Sequence, residues 1–231
     1  MYRRIGILGG LSPESTVTYY RRIVRRYQEL FGDHGYPEII VYSVSFQRFI
    51  DWMAEEEWST ITEELIDAIR GLGAAGADFA VIATNTMHMV FDEVRERSPI
   101  PLISIIEATA EAIEEEGMDT VGLLGTRFTM EKKFYRRGLA SHGIETLIPV
   151  KADRDHINKV VFEELSRGLI RSESRDKFLR IIGDLIGRGA QGIVLGCTEI
   201  PLLVNTQHTP IKLFDTATIH ADKALESAMK R

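Results

Sequence analysis

Cys197 is the single cysteine of this 231-residue chain, and it closes the apolar run Gly192-Ile193-Val194-Leu195-Gly196. When Gly189-Ala190 is aligned with Gly76-Ala77, a second run, Phe79-Ala80-Val81-Ile82-Ala83, falls on the first and Thr84 falls opposite Cys197. The chain therefore carries two copies of one strand-end site, with a hydroxyl in one and a thiol in the other. A thiol of pKa about 8.5 reaches the thiolate form far more readily than a hydroxyl, and the thiolate is the reactive species. A threonine hydroxyl is too weak an acid to rest as an alkoxide, so Thr84 is left to relay a proton, through water or a neighbour, or merely to hydrogen-bond the substrate. With one such group on each face of a substrate carbon, one face loses a proton and the other regains one, which inverts a stereocentre.

That chemistry sets two further requirements. The carbanion-like transition state needs preorganised donors. The thiol needs an acidifying setting, of the kind a helix N-terminus supplies. Thr84-Asn85-Thr86 and Cys197-Thr198-Glu199 both read as openings of short helices, whose backbone N–H groups suit a carboxylate. Asn85 matches Thr198 in the alignment, and Thr86 matches Glu199. The loops Gly9-Gly10-Leu11-Ser12 and Gly125-Thr126-Arg127-Phe128-Thr129 add amides and hydroxyls. The candidate catalytic residues are thus Thr84 and Cys197. The candidate substrate-binding residues are Gly10, Ser12, Asn85, Thr86, Thr126, Thr129, Thr198 and Glu199. Plainer readings stand beside these. Thr84 could cap the following helix, Asn85 could be a turn residue, and Glu199 could pair with a cation or with backbone. His88 and His220 read as satisfied polar groups near the cleft. Gly6-Ile7-Leu8-Gly9-Gly10 lacks the spacing of a dinucleotide fingerprint.

The elements that must position these residues alternate. Strands are expected at Arg3–Leu8, Glu38–Ser45, Asp78–Ala83, Pro101–Ile105, Thr120–Leu124, Glu145–Ile148, Gly192–Leu195 and Ile211–Phe214. Helices are expected from Pro13 to about Leu30, then at Ser59–Leu72 with Ser59 as N-cap, Met87–Arg97, Glu107–Glu116, Thr129–Ala140, Asp155–Ser166, Ser174–Arg188 and Thr216–Lys230. Such alternation means parallel sheets covered by helices. The order also repeats. Ile5-Gly6-Ile7-Leu8-Gly9-Gly10 resembles Val121-Gly122-Leu123-Leu124-Gly125-Thr126, and Gly9 precedes Thr84 by 75 residues where Gly125 precedes Cys197 by 72. The expected fold is α/β with two similar lobes, each a mainly parallel sheet flanked by helices, related by pseudo-twofold symmetry. Lobe one spans residues 1–105 with a C-terminal return of 211–231, and lobe two spans 106–210.

Composition narrows the function classes. A net charge of -6 without a Lys/Arg stripe argues against nucleic acid. One cysteine excludes an intramolecular disulfide and any multi-cysteine metal site, and the six histidines show no i, i+4 pair, so no metal is expected. Neither a signal peptide nor an apolar run of membrane-spanning length is evident, which points to a cytoplasmic protein without membrane contact.

Several motifs together resemble the aspartate/glutamate racemase superfamily. They are Gly9-Gly10-Leu11-Ser12-Pro13-Glu14-Ser15-Thr16, Thr84-Asn85-Thr86-Met87-His88, Gly122-Leu123-Leu124-Gly125-Thr126 with Thr129, Gly196-Cys197-Thr198-Glu199-Ile200-Pro201-Leu202, and Asp215-Thr216-Ala217-Thr218-Ile219-His220. Thr84 stands where most members carry a second cysteine, as in an aspartate racemase-like branch reading TNTMH. The resemblance implies an amino-acid racemase working without pyridoxal phosphate or any other cofactor. Its substrate would be aspartate or a related small polar amino acid, and it would form a homodimer. Arg48 and Arg167 are the candidates to replace the family's side-chain anchors. Two rival readings are a one-cysteine decarboxylase or isomerase of the same superfamily, and a ligand-binding protein that has lost turnover.

Overall fold

A computed structural model of the chain describes residues 2–230. They divide into two compact units, one of residues 2–105 with 217–230, the other of Ile106–Thr216. The first contains β1 (Ile5–Gly9), α1 (Pro13–Phe31), β2 (Ile39–Ser43), α2 (Phe46–Ala54), α3 (Trp58–Ala74), β3 (Phe79–Ile82), a 3-10 turn (Thr86–Val90), α4 (Phe91–Arg97) and β4 (Leu102–Ile103). Its four parallel strands are ordered β2-β1-β3-β4. Leu8 lies beside Ile82 and Gly9 beside Ser43, so the loops after β1, β2 and β3 emerge at one sheet end. Open α/β sheets carry their sites at that end.

Residues of β1 and β3 are buried without interruption, as expected of parallel strands covered on both faces. The covering helix α1 begins where Ser12 accepts a hydrogen bond from the Ser15 amide and Pro13 fixes the first turn. It buries Ser15, Tyr19, Ile23 and Tyr27, a stripe at helical spacing, and stops at Gly32 in the left-handed conformation. From α3 come Ile61, Leu65, Ala68, Ile69 and Leu72, all buried as the sequence pattern requires.

The second unit contains α5 (Ile105–Glu115), β5 (Thr120–Gly125), α6 (Arg127–Glu131), α7 (Lys133–Ala140), β6 (Glu145–Leu147), α8 (Lys151–Glu163), a 3-10 turn (Leu165–Arg167), α9 (Ser172–Gly187), β7 (Gly192–Gly196), α10 (Ile200–Leu203) and β8 (Lys212–Asp215). Its sheet order, β6-β5-β7-β8, repeats that of the first unit element for element. Leu195 lies beside Leu124 and Gly196 beside Gly125. Its core gathers Leu124, Ile157, Val161, Phe178, Ile182, Ile193, Leu195 and Cys197. The last helix, α11 (Thr216–Met229), packs Ala217, Ala221, Ala224 and Leu225 into the core of the first unit. No helix among the described residues is long and apolar enough to cross a membrane.

Several expectations need correction. The strand near Ile211–Phe214 does not return to the first sheet. It pairs with β7, so only α11 returns. The helix expected from Ser59 starts at Trp58, where Glu57 precedes it without a side-chain cap. Thr129–Ala140 is two helices, broken where Lys132 turns extended (ψ 150°). Asp155–Ser166 begins earlier, at Lys151, and ends in the 3-10 turn. The segment α2 was not expected to be helical. It is short and uncapped at Ser45, and it is held by burial of Phe49 and Met53.

Candidate functional site

Cys197 follows β7 directly and is 6% exposed. Its Sγ–H donates to Glu199 Oε2 at 3.0 Å, and the Thr198 hydroxyl donates to the same oxygen at 3.0 Å. The sharp turn that allows this is closed by the Ile200 amide on the Cys197 carbonyl, and by Pro201 in the first turn of α10. Burial pushes the thiol pKa well above its usual value, and the Glu199 carboxylate pushes it further. The Glu199 and Ile200 amides act in the opposite direction and are outweighed. The helix start therefore does not give the acidified resting thiol the sequence led us to expect. It gives a neutral thiol hydrogen-bonded to a carboxylate.

Thr84 follows β3 by two residues and is 8% exposed. Its backbone is held at three points. The Thr84 amide donates to the Ile82 carbonyl at 2.8 Å, and Ser15 Oγ donates to the Ala83 carbonyl at 2.8 Å. His88 Nδ1 lies 2.8 Å from the Thr84 carbonyl. The Thr84 hydroxyl itself bonds to no group among the described residues and does not cap the 3-10 turn, whose first flanking residue is Asn85. That removes the reading of Thr84 as a mere cap. Asn85 and Thr86 are buried beside it.

The glycine loops differ in what they offer. The Gly10 amide donates to Thr16 Oγ1 at 2.8 Å, so Gly10 contributes an open Cα rather than a ready donor. Its φ of +86° and the nearness of Val44 suit no larger residue. Ser12 is the buried N-cap of α1. In the second unit Thr126 caps α6, accepting from the Thr129 amide at 3.3 Å, with the two hydroxyls 3.1 Å apart. Within the first unit, then, Gly10, Ser12, Thr84, Asn85 and Thr86 gather at one sheet end. Within the second, Thr126, Thr129, Cys197, Thr198 and Glu199 gather at the equivalent end. Arg48 is already engaged, paired with Glu64 at 2.7 Å and lying over the Trp52 ring. Arg167 is exposed at the end of a 3-10 turn.

His88 and His220 are hydrogen-bonded through both ring nitrogens, as expected of satisfied polar groups. What the sequence did not reveal is what they hold: backbone groups of Thr84, Ile103 and Ile105. Nor did it reveal Thr16 on Gly10 or Ser15 on Ala83. The only available signal was the spacing of His88, four residues beyond Thr84. Among the described residues no three His, Cys, Asp or Glu side chains gather where a metal could sit.

Known proteins share this fold. Residues 8–224 match the model of the Asp/Glu/hydantoin racemase family. A Yersinia pestis protein provisionally described as an Asp/Glu racemase is 43% identical, with a TM-score of 0.92 over 99% of this chain and 100% of that one. An aspartate racemase homologue from Pyrococcus horikoshii OT3 is 37% identical, with a TM-score of 0.88 over the whole of both chains. A broad-specificity amino-acid racemase, RacX of Bacillus subtilis strain 168, is 23% identical over 228 residues, 96% of this chain and 97% of its own length. The chain belongs to the Asp/Glu/hydantoin racemase family.

Proposed function

We propose that the protein is an amino-acid racemase that needs no pyridoxal phosphate, with Cys197 serving one face of the substrate α-carbon and Thr84 the other. The observation that carries this reading is the buried Cys197–Glu199 hydrogen bond at the end of β7, answered by a Thr84 hydroxyl that bonds to no group among the described residues at the end of the equivalent strand β3. The thiol proton passes to Glu199, leaving a thiolate beside a neutral carboxylic acid and avoiding two adjacent buried anions. The thiolate then takes the α-proton. Charge that develops toward the α-carboxylate is met by amides and hydroxyls of Ser12, Asn85, Thr86, Thr126, Thr129 and Thr198. Thr84 delivers a proton to the opposite face and is reprotonated through water or a neighbour, since its alkoxide cannot persist.

Aspartate or another small polar amino acid is the substrate. The ion pair that already occupies Arg48 argues against strict recognition of a side-chain carboxylate, and the similarity to a broad-specificity relative agrees. A cytoplasmic homodimer completes the proposal. The test is Cα–H exchange in heavy water across a panel of amino acids. A racemase incorporates deuterium and inverts. Release of carbon dioxide would instead assign a decarboxylase, and binding without exchange a ligand-binding protein.

A further inference from the structure

Four side-chain hydrogen bonds in the first unit form two pairs, one through His88 and one through His220, whose directions follow from the groups they join. The Ile105 amide lies 3.1 Å from His88 Nε2 and can only donate, so that nitrogen accepts. A neutral imidazole carries one proton, which is then on Nδ1 and is donated to the Thr84 carbonyl at 2.8 Å. The Ile103 carbonyl lies 2.9 Å from His220 Nε2 and can only accept, so that nitrogen carries the proton. His220 Nδ1 then accepts from the Tyr19 hydroxyl at 2.7 Å. Tyr19 and His220 are completely buried and His88 is 4% exposed. The two rings meet edge to face at 6.0 Å, and the His88 ring stacks on Phe91 at 4.7 Å.

We propose that His88 is the positioning residue of Thr84, fixing the hydroxyl-bearing turn to the crossover Ile103–Ile105 that His220 and Tyr19 hold from the other side. The inference rests on the racemase reading above and adds to it the means by which a weakly acidic hydroxyl is made useful. A thiolate reacts by virtue of its charge. A hydroxyl that only donates or relays depends on where it sits, and displacement by an ångström at a reacting centre is costly. The second unit makes the contrast. The residue four beyond Cys197 is Pro201, which has no N–H to donate to a carbonyl, whereas Thr216 Oγ1 donates to the Leu195 carbonyl at 3.0 Å. The histidine is present only on the side that carries the hydroxyl.

Two variants separate its two bonds. His88→Asn keeps a donor near the Nδ1 position for Thr84 and removes the Ile105 acceptor. His88→Gln keeps an acceptor near the Nε2 position and removes the Thr84 donor. Exchange into each pure enantiomer in heavy water reads the two faces separately. We expect His88→Gln to slow exchange of the Thr84-facing proton by on the order of tenfold or more, with the Cys197-facing rate and KM held within about twofold. His88→Asn should recover most of that loss. Equal slowing at both faces in a folded variant, or no slowing at either, overturns the positioning role. Histidine nitrogen NMR on the unaltered protein checks the geometry apart from turnover: the proton should lie on Nδ1 of His88 and Nε2 of His220, and the opposite tautomer at His88 also overturns it. Absence of exchange with every amino acid in the unaltered protein is a different failure, which removes the racemase reading and the positioning role with it.

Discussion

At the scale of single residues, the pairing of Cys197 with Glu199 sets the protonation chemistry. Burial first, and the Glu199 carboxylate second, hold the thiol neutral near pH 7, so a base must accept its proton before it can act. Glu199 Oε2, 3.0 Å from the sulfur, is that base in the mechanism proposed. Replacing Glu199 by Gln removes a negative neighbour, so the thiol should titrate at lower pH. Turnover should nevertheless fall by about 10²–10⁴-fold, the usual contribution of a positioned general base. Alkylation of Cys197 by iodoacetamide against pH, measured alongside racemisation, checks both. An unshifted alkylation profile would mean that Glu199 does not act on the thiol. Cys197→Ser should leave the fold intact and abolish activity, because a serine hydroxyl is a much poorer base at neutral pH.

At the scale of elements, the strand ends depend on loops that admit little change. A methyl added at Gly10 would come within 2.3 Å of the Val44 carbonyl oxygen and 2.6 Å of its nitrogen, in a backbone with φ +86°. Gly10→Ala is therefore expected to lower stability by about 1–3 kcal/mol or more, read as a lower urea midpoint, with activity reduced by displacement of the Ser12 turn. An unchanged midpoint would show that the β1 loop relaxes freely. The strands themselves were legible because parallel strands covered on both faces run apolar without a break, as in Ile5–Gly9 and Gly192–Gly196. The repeat of the Phe79–Ala83 run in Gly192–Gly196 aligns Thr84 with Cys197 in the sequence alone. α2 was not legible, since nine residues with no cap give no start signal and only Phe49 and Met53 anchor it. The bonds that shape the site were hidden for another reason. Ser15 reaches Ala83 across 68 residues and Ile105 reaches His88 across 17, and no local pattern encodes such partners. The destination of β8 was hidden likewise, because its apolar content suits either sheet and pairing with β7 decides it.

At the scale of the whole molecule, each unit repeats one four-strand plan, and stability is tied to pH through the first unit's buried rings. Burial, with a smaller effect of the neighbouring His220, pushes His88 down to about 3, and burial pushes His220 down to about 4. In the unfolded chain both take protons near pH 6.5. The unfolded state then binds more protons than the folded one, so stability is full above pH 6.5 and drains as pH falls toward 4 and then 3. Each unit of depression is worth about 1.4 kcal/mol. The urea midpoint should therefore fall steeply from pH 6.5 to about pH 5, before most carboxylates protonate. His88→Gln should remove a large part of that slope, leaving the shares of His220 and of His156, which burial also lowers. A midpoint that is flat across this range would contradict neutral buried rings. The central claim, two unequal groups serving two faces, is tested most directly with Thr84→Ala in heavy water, starting from the pure enantiomer whose α-hydrogen meets Cys197. Deuterium should enter that enantiomer with its configuration retained while inversion is suppressed. Inversion at the rate of the unaltered enzyme would contradict the account, because the second face would then be served by a group other than Thr84.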